Sequence, residues 1–119
     1  MEEQKNGIRS HFLSIVIDKK MKTDFTDLCK RNGLDFSFAN ARFIKQCLIM
    51  DDIPFNENQI RNYKQSNQNQ DLVRCSIRIS QDERDAFKLL CKAKNAKMID
   101  ILKLFMETSI QKNFFSFSN

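Results

Sequence analysis

Laid against itself with a shift of 62 residues, the chain matches without a gap. Ser14, Ile15 and Ile17 fall on Ser76, Ile77 and Ile79; Phe25 falls on Phe87, Leu28-Cys29-Lys30 on Leu90-Cys91-Lys92, and Phe43 on Phe105. The span from 12/74 to 48/110 holds 8 identities in 37 pairs, and the pairs Leu13/Cys75, Phe36/Met98, Ala39/Ile101, Ile44/Met106 and Leu48/Ile110 exchange one apolar residue for another. These matches sit on the apolar face of each element, so they describe a repeated structural unit and not merely shared composition. A unit of 37 residues is too small to bury a core alone. The two copies are therefore expected to share one core, in a single domain spanning residues 1-119.

Each copy opens on a strand. In Val73 to Ser80, Cys75, Ile77 and Ile79 point one way while Arg74, Ser76 and Arg78 point the other, because strand side chains alternate with a period of two. The same alternation over Phe12 to Asp18 sets Leu13, Ile15 and Ile17 against Phe12, Ser14 and Val16. Pairing the two strands antiparallel satisfies both ladders and gathers the six apolar residues on one face. His11, the only histidine, stands at the strand edge without partners for a catalytic base.

Two helices follow each strand. In the first copy Asp18 is the N-cap and Met21, Phe25, Leu28 and Cys29 recur at helical spacing. Asn32-Gly33 ends that helix. Asp35 then caps a second helix whose stripe is Phe36, Phe43, Ile44, Cys47 and Leu48, with Asn40 where the other copy has Leu102. In the second copy Ser80 caps a helix to about Lys94, and Asn95 replaces Gly33. The last helix runs from Lys97 or Met98 to about Lys112, with a weaker cap because Lys97 stands in place of Asp35. Proline disfavours a helical residue before it, so the first unit ends ahead of Pro54. The Asn- and Gln-rich stretch beyond reads as a solvated tether with at most a turn of helix around Ile60. The expected fold is mostly α with a two-stranded antiparallel β-ribbon, in the order β-α-α-linker-β-α-α. Its parts are a first unit 12-48, a polar linker 49-72, a second unit 73-112 and a Phe-rich tail 113-119. Phe114, Phe115 and Phe117 are expected to pack back on the domain, with a subunit contact as the alternative.

Charge narrows the function. The net charge is +5, and both repeats are basic, with 7 Lys/Arg against 4 Asp/Glu in residues 12 to 48 and 8 against 5 in residues 74 to 110. Such a balance favours an acidic partner such as nucleic acid. Cys29, Cys47, Cys75 and Cys91 have no metal-type spacing and read as core thiols. With no Ser/His/Asp set, only two glycines for any phosphate loop and no ligand cluster, we expect no catalytic residues, metal, cofactor or small-molecule substrate. The start, Met1 to Asn6, has no apolar leader, and no run reaches transmembrane length. A cytoplasmic protein without a membrane partner is expected.

A strand with alternating faces, a helix ending in Asn-Gly and a capped second helix are carried by Ser14-Ile15-Val16-Ile17 through Leu28-Cys29-Lys30-Arg31-Asn32-Gly33-Leu34-Asp35, and by Arg74 through Ser80. This plan resembles the ribbon-helix-helix DNA-binding superfamily typified by the Arc and MetJ repressors, over about two thirds of the chain. Most members of that family need two chains. The tandem arrangement is similar to the TraY accessory proteins of plasmid conjugation and, more loosely, to VirC-type proteins. The resemblance implies a tandem ribbon-helix-helix pseudo-dimer whose ribbon enters the major groove of double-stranded DNA. Arg74, Ser76 and Arg78 would read bases together with Ser14, Phe12 and Val16. The starts of the second helices, at Phe36 and Ser37 and at Lys97, Met98 and Ile99, would hold phosphates.

The residue chemistry fits that implication. Arginine takes guanine O6 and N7 bidentately, serine is versatile, and Phe12 and Val16 can pack on thymine methyls, so the second strand should read most of the sequence. The implied role is a transcriptional repressor or a plasmid conjugation or partition accessory protein, with a homo-oligomer on adjacent sites where operators are long. The alternative is a protein-interaction or oligomerisation module, antitoxins included, that uses the apolar ribbon face and the C-terminal Phe cluster.

Overall fold

The computed structural model describes residues 11–66 and 71–115. In chain order these form β1 (His11–Asp18), α1 (Lys19–Arg31), α2 (Phe36–Met50), α3 (Glu57–Ser66), β2 (Leu72–Ile79), α4 (Gln81–Ala93) and α5 (Met98–Lys112). The protein is thus mostly helical, with one two-stranded antiparallel sheet among the described residues. Helices α1 and α4 begin and end 62 residues apart, and so do α2 and α5. The expectations for residues 1–10 and for Phe117 lie outside the described residues.

Local chemistry explains these boundaries. The carboxylate of Asp18 accepts from the Lys20 N–H at 3.1 Å, and that of Asp35 from the Phe38 N–H at 2.7 Å, each supplying an acceptor that a helix start lacks. Ser80 and Glu83 exchange bonds of 3.1 and 3.0 Å in a capping box at the head of α4. Lys97 has no acceptor to offer, and α5 starts without a side-chain cap bond from it. At the other ends, Gly33 (φ 72°) and Asn95 (φ 61°) both take the left-handed conformation. The next amide in each copy returns to the helix, Leu34 N–H to the Cys29 carbonyl at 2.8 Å and Ala96 N–H to the Cys91 carbonyl at 3.0 Å. One stop signal is thus written twice, once with glycine and once with asparagine.

The strands pair from His11↔Ile79 to Asp18↔Leu72, which sets Ser14 directly opposite Ser76. Leu13, Ile15, Ile17, Cys75, Ile77 and Ile79 are all at most 5% exposed and form the roof of the core. Below them the halves interlock, α1 packing on α5 and α2 on α4. Phe25 meets the rings of Phe36, Phe105 and Phe115 edge-on at 5.6 to 5.8 Å. Phe43 and Phe105 stack at 4.2 Å with their planes 10° apart. Asn40, fully buried, donates Nδ2 to the Phe36 carbonyl at 3.1 Å and approaches the Met106 sulfur at 3.7 Å. No helix among the described residues is long and apolar enough to cross a membrane.

Residues 49–72 depart from the expected solvated tether. Ile53, Phe55 and Ile60 are 2%, 5% and 3% exposed, the Phe55 ring lies 6.2 Å from Phe43, and α3 packs on α5. The helix start was present in the residues: Asn56 and Gln59 exchange reciprocal bonds of 2.8 Å, a capping box with Asn at the cap and Gln at the third position. Three apolar anchors spaced too irregularly to show a period had disguised it. Residues 67–70 lie outside the described residues. In the tail, Phe115 is buried against Phe25 as expected, whereas Phe114 is half-exposed.

Candidate functional site

All six residues expected to read bases stand on the outer face of the ribbon. Phe12, Ser14, Val16, Arg74, Ser76 and Arg78 are exposed, and the register pairs them as Phe12↔Arg78, Ser14↔Ser76 and Val16↔Arg74. Each end of the face therefore couples an apolar side chain to a guanidinium, with two hydroxyls between. Arg74 Nη1 donates to Ser14 Oγ at 3.2 Å, and the Arg78 guanidinium lies 5.4 Å from the Phe12 ring centre. Arg78 lies four positions beyond Arg74, so the two stand about 13 Å apart along the strand. These contacts lean the long side chains across the ribbon while leaving donors free for a ligand, because each guanidinium carries five N–H groups.

The start of α2 is fastened to the edge of β2. Ser37 Oγ accepts from the Arg78 N–H at 2.8 Å, which satisfies an amide that points away from β1. Phe36, expected at a phosphate site, turns its ring into the core and is 8% exposed, so only its backbone N–H can serve a ligand. Asp35 already occupies the Phe38 N–H. An anion at this helix start would thus meet the amides of Phe36 and Ser37 beside a resident carboxylate.

Next to this point lies an open groove of about 460 Å³ lined by Phe12, Asp35, Ser37, Phe38, Ala41, Arg42, Lys45, Ser76 and Arg78. Its charges are three cations and one carboxylate. Lys45 also reaches the Glu83 carboxylate at 3.9 Å. Arg42 and Lys45 were not singled out from the sequence. The signal existed, since Phe38, Arg42 and Lys45 follow one another at intervals of four and three and share a helix face, and all three are exposed.

The corresponding flank on the other half has a different character. Lys97 is exposed at the head of α5, while Met98 and Ile99 are half-buried, and Ile99 has no hydroxyl to repeat the bond made by Ser37. A shift of 62 carries Phe38, Arg42 and Lys45 onto Asp100, Leu104 and Glu107. Leu104 is buried and α3 lies over this part of α5. A second groove, beside Leu104 and Glu107 and reaching α1, is lined by Asp18, Asp24 and Glu107 against Lys20, with Tyr63 of α3 at its side. Burial, reinforced by Glu107 and Asp100, pushes the Tyr63 phenol well above its usual range, so it stays neutral. Lys103, where the first unit has Ala41, is 6% exposed. Burial lowers its pKa, and Asp100 and Asp18 offset only part of that shift.

The four thiols are free and buried. Burial pushes Cys29, Cys47 and Cys91 up to about 12 and raises Cys75 despite the nearby Lys22, which is the behaviour of packing residues and not of nucleophiles or ligands. No group of His, Cys, Asp and Glu among the described residues is arranged to hold a metal. Compared with protein-family models, with curated proteins and with solved structures, the chain matches none.

Proposed function

We propose that the protein binds double-stranded DNA in a sequence-dependent way, laying the β1–β2 ribbon in the major groove as a single-chain, tandem ribbon-helix-helix pseudo-dimer. One observation carries this reading: the register that buries Leu13, Ile15, Ile17, Cys75, Ile77 and Ile79 leaves both arginines of β2 and both central serines on one exposed face. The repeat supports the pseudo-dimer. Ser14 and Ser76, equivalent in sequence, face each other across the ribbon, and the equivalent Phe43 and Phe105 stack in the core. Both pairs are consistent with a local two-fold axis relating the halves. A two-stranded ribbon has the dimensions of the major groove, and Arg74 and Arg78 are suited to guanine.

The starts of α2 and α5, through the amides of Phe36, Ser37, Met98 and Ile99 and the Lys97 ammonium, would position the backbone. Because the two strands differ, the site read is asymmetric, and several copies side by side would serve a longer operator. A repressor or a conjugation or partition accessory protein fits this activity. The decisive experiment measures affinity for duplex DNA of random sequence across a series of salt concentrations. The reading requires log K to fall linearly with log salt, and a flat line would sink it. Half-exposed Phe12, Val16 and Phe114 favour the second reading, a protein-interaction module, for which the same titration gives no counterion slope. With Phe115 taken into the core, the tail offers that reading less than its sequence promised.

A further inference from the structure

We infer that the two flanks grip the DNA backbone unequally: Arg42 and Lys45 of α2 are phosphate ligands beyond the ribbon, and the matching positions of α5, Leu104 and Glu107, supply none. This inference rests on the duplex-binding reading and names the partner chemistry of the same site. Three observations carry it. The groove beside α2 is open and continuous with the ribbon face through Phe12, Ser76 and Arg78, so a strand leaving the major groove on this side runs on toward Arg42 and Lys45. Its charge is complementary, with three cations to one carboxylate, and Ser37 holds the α2 start against β2 so that the cations keep their place relative to the ribbon.

The same positions in the other half carry no cation. Arg42 is replaced by buried Leu104, Lys45 by Glu107 and Phe38 by Asp100, and α3 covers this part of α5. A phosphate in the groove beside Leu104 and Glu107 would face Asp18, Asp24 and Glu107, and the cation of its lining, Lys20, is already bonded to Asp24 at 2.9 Å. Like charge at short range is repulsive, and desolvating it against the phenol of Tyr63 adds to the cost. The connecting segment therefore joins the halves and also makes them unequal, by spending one flank on its own packing.

The test compares salt slopes on duplex DNA for the full chain and for Arg42→Ala, Lys45→Ala and Lys20→Ala, with circular dichroism to verify that each variant is folded. Each lost phosphate contact lowers the slope of log K against log salt by about 0.9 on B-form DNA. Arg42→Ala and Lys45→Ala are expected to lower it by that amount and to weaken all sequences alike, whereas Lys20→Ala leaves it unchanged. If the full chain shows a slope that either α2 variant leaves unaltered, or if Lys20→Ala lowers it equally, the grip by Arg42 and Lys45 together is wrong while duplex binding survives. If the full chain shows no slope at all, the duplex-binding reading itself has failed.

Discussion

The stack of Phe43 on Phe105 offers the sharpest test of how the two halves hold together. Each ring is essentially inaccessible to solvent, and they lie 4.2 Å apart and nearly parallel, one from each repeat. Replacing either with leucine keeps an apolar side chain of similar size. It removes the flat ring and leaves a small void, at a cost of about 1–2 kcal/mol judged from core truncation series. Part of that cost is the ring–ring term, about 0.5–1.5 kcal/mol beyond buried area. A double-mutant cycle isolates it, because Phe43→Leu and Phe105→Leu each lose the stack but the double variant loses it only once. The double variant should therefore be destabilised by about 0.5–1.5 kcal/mol less than the sum of the singles. At about 0.05–0.15 kcal/mol per residue, a chain of this length has enough stability for all three variants to remain folded. Urea unfolding followed by far-UV circular dichroism supplies the three differences, and a single cooperative transition is expected because neither half has a core of its own. Additivity within about 0.3 kcal/mol, or two separated transitions, would refute the shared-core argument.

Arg78→Ala should weaken binding to a selected DNA site by about 1–3 kcal/mol and relax preference at one base pair, readable by repeating the selection with the variant. Ser80→Ala breaks the capping box of α4 and should cost about 1 kcal/mol in urea unfolding, with little effect on duplex affinity. The buried thiols should resist alkylation in the native protein at mildly alkaline pH and react at once in denaturant; rapid native labelling of Cys29, Cys47 or Cys91 would contradict their burial. Because their folded pKa is raised to about 12, the unfolded chain releases thiol protons first. Stability from this source is therefore complete below the unfolded thiol value of about 8.5 and is lost as pH rises from there toward the folded value, which urea midpoints at increasing pH would record.

Much of this architecture was already written locally. The strand faces follow from strict alternation in Leu13 to Ile17 and Cys75 to Ile79, the helix starts from Asp18, Asp35 and Ser80, and the stops from Gly33 and Asn95. Each of these signals acts over a few residues, through a side chain's direction, a cap bond or a permitted φ, so the residues declare it without reference to anything distant. What the order of residues left open was decided by contacts between segments far apart. Ile53, Phe55 and Ile60 carry no period, and only the exposed apolar surface of α5 and the ring of Phe43 make them core. Arg42 and Lys45 look like any solvated helix face until Ser37 anchors α2 to the edge of β2 and turns that face into the wall of a groove. Glu107 and Leu104 likewise look ordinary until α3 lies across them. Local pattern settled which elements form and which faces are apolar, and long-range packing settled that α3 lies against α5 and Ser37 against β2, because such contacts require a second segment whose approach no short-range signal encodes.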